Sequence, residues 1–191
     1  MNRITNVRDL TVIAMFAAFT AVLSYIYLPI PVSPVPVTGQ TMGVMIAGGL
    51  LGPKRAFLSQ VVYLLLGIVG IPVFAGGTAG IGALFGPNGG YLWTLPIAAL
   101  LIGYLTESAE KRQGIFYWLN LIAPLFVGGM LLIYVGGVLQ LSLVTQIPLT
   151  VAILEGAVPF IIGDLAKVIA GALVIRSCHA LSLEKRLSFS R

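Results

Sequence analysis

Three long uncharged runs divide the chain: Leu10 to Gly52, 43 residues; Ala56 to Thr106, 51 residues; and Gln113 to Leu154, 42 residues. An apolar helix of roughly 20 residues crosses a bilayer, so each run has room for more than one crossing. The ~10-residue alternating segments of a membrane β-barrel are absent. Prolines and glycines cut the runs into helices expected at about 9–28, 40–51, 55–69, 90–106, 114–140 and 159–181. After the first, Pro29, Pro31, Pro34 and Pro36 fall within eight residues and forbid helix. The second, at 1.5 Å per residue, is only ~18 Å long. Either the proline loop dips into the membrane or this helix lies tilted inside the protein. Between the third and fourth, eight of the 21 residues from Gly70 to Gly90 are glycine. Irregular backbone at membrane depth survives only inside protein or beside a water-filled cavity, so this segment is expected to fold over or into something. TQIPLTVAILEGAVP is expected to be an outer connection with one helical turn at most, placing Glu155 in a loop.

The fold class that follows is an all-α membrane protein, one integral domain of 191 residues with six transmembrane helices. Composition agrees: 58% hydrophobic, 9% charged, mean hydropathy +1.03. The N-terminal run from Leu10 is too long for a signal-peptide core and has no small-residue cleavage site after it, so it reads as the first span. A net charge of +5 invites a nucleic-acid partner, but its placement argues against one. Ten of the eleven Lys and Arg residues lie at the two ends, in the Lys54–Arg55 turn and around Lys111–Arg112. These are the even-numbered connections and the termini, which an even count of spans puts on one face. By the positive-inside rule that face is cytoplasmic, where the basic residues also meet anionic headgroups.

The eleventh basic residue is Lys167, three residues after Asp164 in PFIIGDLAKVIAG. Residues at i and i+3 share a helix face. Charges inside a membrane are costly and face a cavity or each other, so the pair is either an internal salt bridge or a ligand site. Counted from Pro159, Asp164 lies ~7–8 Å and Lys167 ~12 Å below the outer helix end, the depth of an outward-opening pocket. Asn88 and Gly89, in GPNGGY, precede a helix N-terminus that offers free N–H donors. Tyr91 and Trp93 either stack on a flat ligand or belong to the interfacial aromatic belt. Thr38, Gln40 and Thr41 either cap the second helix or face a ligand. Ala14, Ala17, Ala18 and Ala21 make one side of the first helix small, for internal packing or for a partner subunit.

Several chemistries are excluded. One cysteine, Cys178, allows no internal disulfide, and one histidine, His179, supports no metal cluster. There is no phosphate-binding G-x-x-x-x-G-K-[ST] loop, no H-E-x-x-H and no G-x-S-x-G, so the chain reads as a binding or transport protein, not an enzyme.

Four stretches, PVPVTGQTMGVMIAGGLLGPKRA (34–56), YLLLGIVGIPVFAGG (63–77), GPNGGYL (86–92) and PFIIGDLAK (159–167), resemble the BioY family, the biotin-specific substrate-binding subunits (S components) of energy-coupling-factor vitamin transporters. The resemblance spans nearly the whole chain. It implies biotin bound near the outer face, among helices 4 to 6, beneath the 1–2 and 3–4 loops. It carries the D-x-x-K pair onto Asp164 and Lys167 and the glycine turn onto Gly86 to Tyr91, with Asn88 where the family usually has threonine. It implies no cofactor, and a prokaryotic plasma-membrane location. ATP would be hydrolysed by two partner ATPase subunits joined through a transmembrane coupling subunit, which the first helix would meet at Ala14 and Ala18. On this reading Lys167 meets biotin's carboxylate and Asp164 its ureido N–H, or the two act as one paired unit. The rival readings are a stand-alone proton-coupled transporter of a small carboxylate, working through Asp164, and a membrane enzyme or structural subunit.

Overall fold

A computed structural model of the chain describes residues 6–31, 33–107 and 114–180. The basic residues expected at the ends and in the 4–5 loop, Arg3, Lys111, Arg112, Lys185, Arg186 and Arg191, lie outside these. The described chain is mostly helical. Four helical stretches are long and apolar enough to cross a membrane: Val7–Ser24, Gly89–Thr106, Ile115–Thr145 and Leu149–Ala180.

The first of these is α1 (Val7–Ser24). It stops four residues before the expected end, because Pro29 and Pro31 remove the donors that a further turn needs. The chain instead extends, and β1 (Tyr27–Leu28) pairs antiparallel with β2 (Val37–Thr38). The proline loop is thus a short ribbon. It is pinned by Gly39 N–H donating to Ile26 O at 3.1 Å and by Tyr25 Oη donating to Pro72 O at 2.5 Å.

The ribbon delivers the chain into α2 (Gln40–Leu51), where ten of twelve residues are buried. This helix is short because it is central: α1, α3, α5 and α9 all pack around it. Its glycines let neighbours approach. Gly48 faces Ile102 and Gly49 faces Ile175. Gly52, at φ 73°, turns the chain into α3 (Pro53–Ile68), whose first residue is a proline, suited to a position with no intrahelical N–H partner. Asp9 and Arg55 join α1 to α3 with an ion pair of 3.1 Å.

The glycine-rich segment folds back on the bundle. Phe74, 1% exposed, fills the space left by Gly67. Gly76 and Gly77 (φ 65° and 78°) form a tight turn, which a side chain would strain. A one-turn helix, α4 (Gly82–Phe85), leads into α5 (Gly89–Thr106).

The next stretch is three pieces in line: α6 (Ile115–Phe126), a π-helical turn at Val127–Leu132, and α7 (Ile133–Thr145). Pro124, inside α6, cannot donate to the preceding turn, and Gly128 and Gly129 follow it, so the wider turn falls where regular bonding is already broken. The helix runs five residues past the expected end at 140 and stops at Gln146, which is left-handed (φ 56°). The expected outer loop is itself helical: α8 (Leu149–Gly156) starts after Pro148 and carries the partly buried Glu155. A 3-10 turn at Val158–Phe160 breaks the line before α9 (Ile161–Ala180).

Helices α5 and α7 approach so closely at Gly90 and Gly136 that a Cβ on Gly90 would sit 2.1 Å from the Gly136 carbonyl oxygen. Gly90→Ala is expected to cost about 1–3 kcal/mol through overpacking against backbone, seen as a lower melting temperature in detergent. Gly163→Ala, where a Cβ meets nothing within 4 Å, is the control and should match or slightly exceed wild type.

Candidate functional site

Between the ribbon and the helices lies a cavity of about 520 Å³, within the range of small-molecule sites. Its roof is the ribbon (Tyr27, Pro34 to Thr38) and the glycine-rich segment (Phe74 to Ala83). Its walls come from α2, α5, α7 and α9. Most of this lining is apolar. Five polar residues gather on one wall: Thr38, Thr41, Tyr134, Asp164 and Lys167.

That wall is built on the first turn of α9. Asp164 is 4% exposed and sits in that turn, where the helix N-terminus favours an anion. Its two oxygens have different partners. Lys167 Nζ reaches Oδ1 at 2.7 Å, and Tyr134 Oη donates to Oδ2 at 2.5 Å. Lys167 also donates to Thr38 O at 2.6 Å and to Thr41 Oγ1 at 3.3 Å. An ammonium has three protons, so Lys167 is fully used, with Thr41 its longest contact. The pair therefore ties α9 to the ribbon and to α2, and through Tyr134 to α7.

Of the residues singled out from sequence, Gln40, Thr41, Asn88, Tyr91, Asp164 and Lys167 line the cavity. Gln40 does not face it freely: its side chain bonds Thr38 Oγ1 at 2.9 Å and the Tyr63 hydroxyl, which in turn donates to Val73 O at 2.8 Å. Tyr91 is held by donation to Gly156 O at 2.6 Å. Asn88 precedes α5, but its side chain makes no cap bond, and its buried Oδ1 has no hydrogen-bond partner among the described residues.

Two expected residues lie elsewhere. Trp93 is 46% exposed and turns away, its Nε1 donating to Leu84 O at 3.1 Å. Gly89 is buried against Leu84 O and Gln140 Nε2, where any Cβ would clash, so it serves packing instead of lining the cavity. Ala14 and Ala18 are exposed on the outside of α1, while Ala17 and Ala21 point into the core.

Sequence reasoning missed Tyr134 and Gln140. Gln140 Nε2 donates to Leu84 O and Gly86 O, at 2.8 and 2.9 Å, and so fixes the turn that carries Asn88. The only signal for either was a polar group inside an apolar span, and no local spacing linked them to α9 or to the glycine turn.

The comparisons with known proteins match this architecture. The sequence profile of the BioY family covers residues 1–184. The chain belongs to the BioY family. The "Probable biotin transporter BioY" of Bacillus subtilis is 39% identical over 177 residues, 92% of each chain. The "Biotin transporter BioY2" of Lactococcus lactis is 38% identical over 165 residues, 86% of each chain. A crystal structure of the S-component for biotin from an ECF-type ABC transporter superposes with a TM-score of 0.85 at 32% identity, covering 94% of this chain and 95% of that one. The resemblance read from the motifs is therefore upheld, and the family is one of transporters, not enzymes. Among the described residues no group of His, Cys, Asp and Glu is arranged to hold a metal ion.

Removing one member of a buried pair costs more than removing both. Lys167→Met alone is expected to cost about 3–5 kcal/mol by leaving the Asp164 carboxylate uncompensated. Asp164→Asn combined with Lys167→Met should recover most of that loss in detergent melting experiments. Equal losses in the single and double variants would mean that the two residues do not act as a pair.

Proposed function

We propose that this chain is the high-affinity biotin-binding subunit of an ATP-driven uptake transporter in a prokaryotic plasma membrane. It crosses the membrane six times with both termini cytoplasmic, takes biotin from outside into the cavity beneath the ribbon, and delivers it with a coupling subunit and two ATPase subunits. The observation that carries this reading is the buried Asp164–Lys167 pair on one wall of a mostly apolar cavity, in a chain whose relatives are named biotin transporters.

Biotin offers an apolar bicycle, a ureido group with N–H donors beside a carbonyl acceptor, and a carboxylate on a flexible tail. The Asp164–Lys167 pair matches the ureido face: Asp164 accepts from an N–H, and Lys167 donates to the carbonyl by releasing Thr41, its longest contact. With the two groups 2.7 Å apart, they meet one end of an elongated ligand. This favours the paired unit over a division of Lys167 to the tail and Asp164 to the ring. Asn88 Oδ1, buried and unpartnered among the described residues, becomes a further acceptor for an N–H once its side chain turns toward the cavity it lines. The exposed small face at Ala14 and Ala18 suits close approach by a helix of the coupling subunit. Because Asp164 is held by both Lys167 and Tyr134, a free proton carrier, as in a stand-alone carboxylate transporter, is disfavoured.

Calorimetry on the detergent-purified chain tests this. Tight 1:1 biotin binding is expected, weakened about thirtyfold or more by Asp164→Asn or Lys167→Ala, as for truncating one partner of a buried charged pair. Tyr134→Phe, which removes one hydrogen bond to Asp164, should weaken binding about two- to tenfold. A folded wild type that fails to bind biotin would overturn the assignment. Uptake that persists without any ATPase subunit and collapses with an uncoupler would favour the proton-coupled alternative.

A further inference from the structure

Far from the cavity, at the other end of α9, Arg176 is exposed to the surroundings of the bundle. Its guanidinium lies 4.8 Å from the Trp118 ring centroid and 5.6 Å from that of Tyr117. Both rings belong to the first turn of α6 and are partly buried against the core. They meet edge to face at 5.9 Å and 78°. Tyr117 is fixed further by a 3.1 Å hydrogen bond between its hydroxyl and His179 Nδ1. The Arg176 Cζ lies over both rings. Among the described residues Arg176 has no hydrogen bond and no ion pair. An arginine so held presents a planar fork of donors whose geometry matches a phosphate.

The flank of α9 that leads to Arg176 is apolar and exposed: Leu165, Ile169 and Leu173 lie at successive turns before it. From Leu165 to Arg176 the rise is ~16 Å, close to the ~15 Å depth of one leaflet of the hydrocarbon core. A track for an acyl chain therefore ends at a fixed cation, flanked by a Trp and a Tyr of the kind that sit at headgroup level.

We propose that Arg176, held over Trp118 and Tyr117, is a binding site for the phosphate of an anionic phospholipid, with the lipid's acyl chain lying along Leu165, Ile169 and Leu173. The site holds one lipid at the end of the bundle opposite the cavity and is independent of ligand binding there. The same phosphate chemistry is available from free phosphate, but the apolar track selects the lipid.

Native mass spectrometry of the full chain in detergent tests the site. The probes are phosphatidylglycerol, phosphatidylcholine with the same acyl chains, and inorganic phosphate. One saturable phosphatidylglycerol adduct is expected, at least fivefold preferred over phosphatidylcholine. Arg176→Gln should abolish the preference, and Arg176→Lys should retain part of it. Both variants should keep wild-type melting and biotin binding, because Arg176 is remote from the cavity. Trp118→Leu, which keeps the charge and removes the platform, should also reduce the preference. An undiminished preference in Arg176→Gln would overturn the proposal. So would occupancy by inorganic phosphate at the same concentration as phosphatidylglycerol, which would make this a soluble-anion site.

Discussion

The arrangement around the cavity depends on placing a carboxylate and an ammonium inside an apolar bundle. Neither charge is tolerated there alone, and each must have its hydrogen-bonding capacity met. Asp164 and Lys167 meet part of that requirement in each other. The rest comes from Tyr134 on α7, from Thr41 on α2 and from the Thr38 carbonyl in the ribbon. The demand for partners thus fixes four separate elements around one point. A ligand that competes for any of these bonds acts on all four elements, and the roof is among them.

The irregular segments obey the same constraint by other means. The proline ribbon and the glycine-rich segment sit over the cavity, and several of their backbone groups find partners within the protein. They do so through a two-residue ladder, through Tyr25 on Pro72, and through Tyr63 on Val73. Leaving regular helix here gives the cavity its roof. The central helix α2 remains short and enclosed, so the space above it becomes a site instead of more core.

Breaks in the long helices serve the site as well. The π-helical turn after Pro124 sets the register in which α7 presents Ile133 and Tyr134 to the cavity. The 3-10 turn before α9 ends one helix and starts another, so Asp164 falls in a first turn, near the positive end of a helix dipole, instead of mid-helix. Without that break, α8 and α9 would run on as one helix and Asp164 would lose this contribution.

The sequence by itself determined the membrane class, the sites of the helix-breaking segments and the oddity of Asp164 and Lys167, because hydropathy, proline, glycine and buried charge act locally or within one helix. It also carried the family, through four motifs spread over most of the chain. It did not reveal that Tyr134 and Thr38 complete the charged pair, that Gln140 anchors the Asn88 turn, or that Trp93 and Gly89 turn away from the cavity. Nor did it show that the stretch before Pro159 is helical. The reason is physical. Each of these depends on which face of one element meets which face of another across tens of residues, as with Tyr134 and Asp164 or Gln140 and Gly86. A pattern along the chain specifies a helix and its apolar side, but only tertiary packing decides which distant hydroxyl, amide or carbonyl arrives at a buried charge.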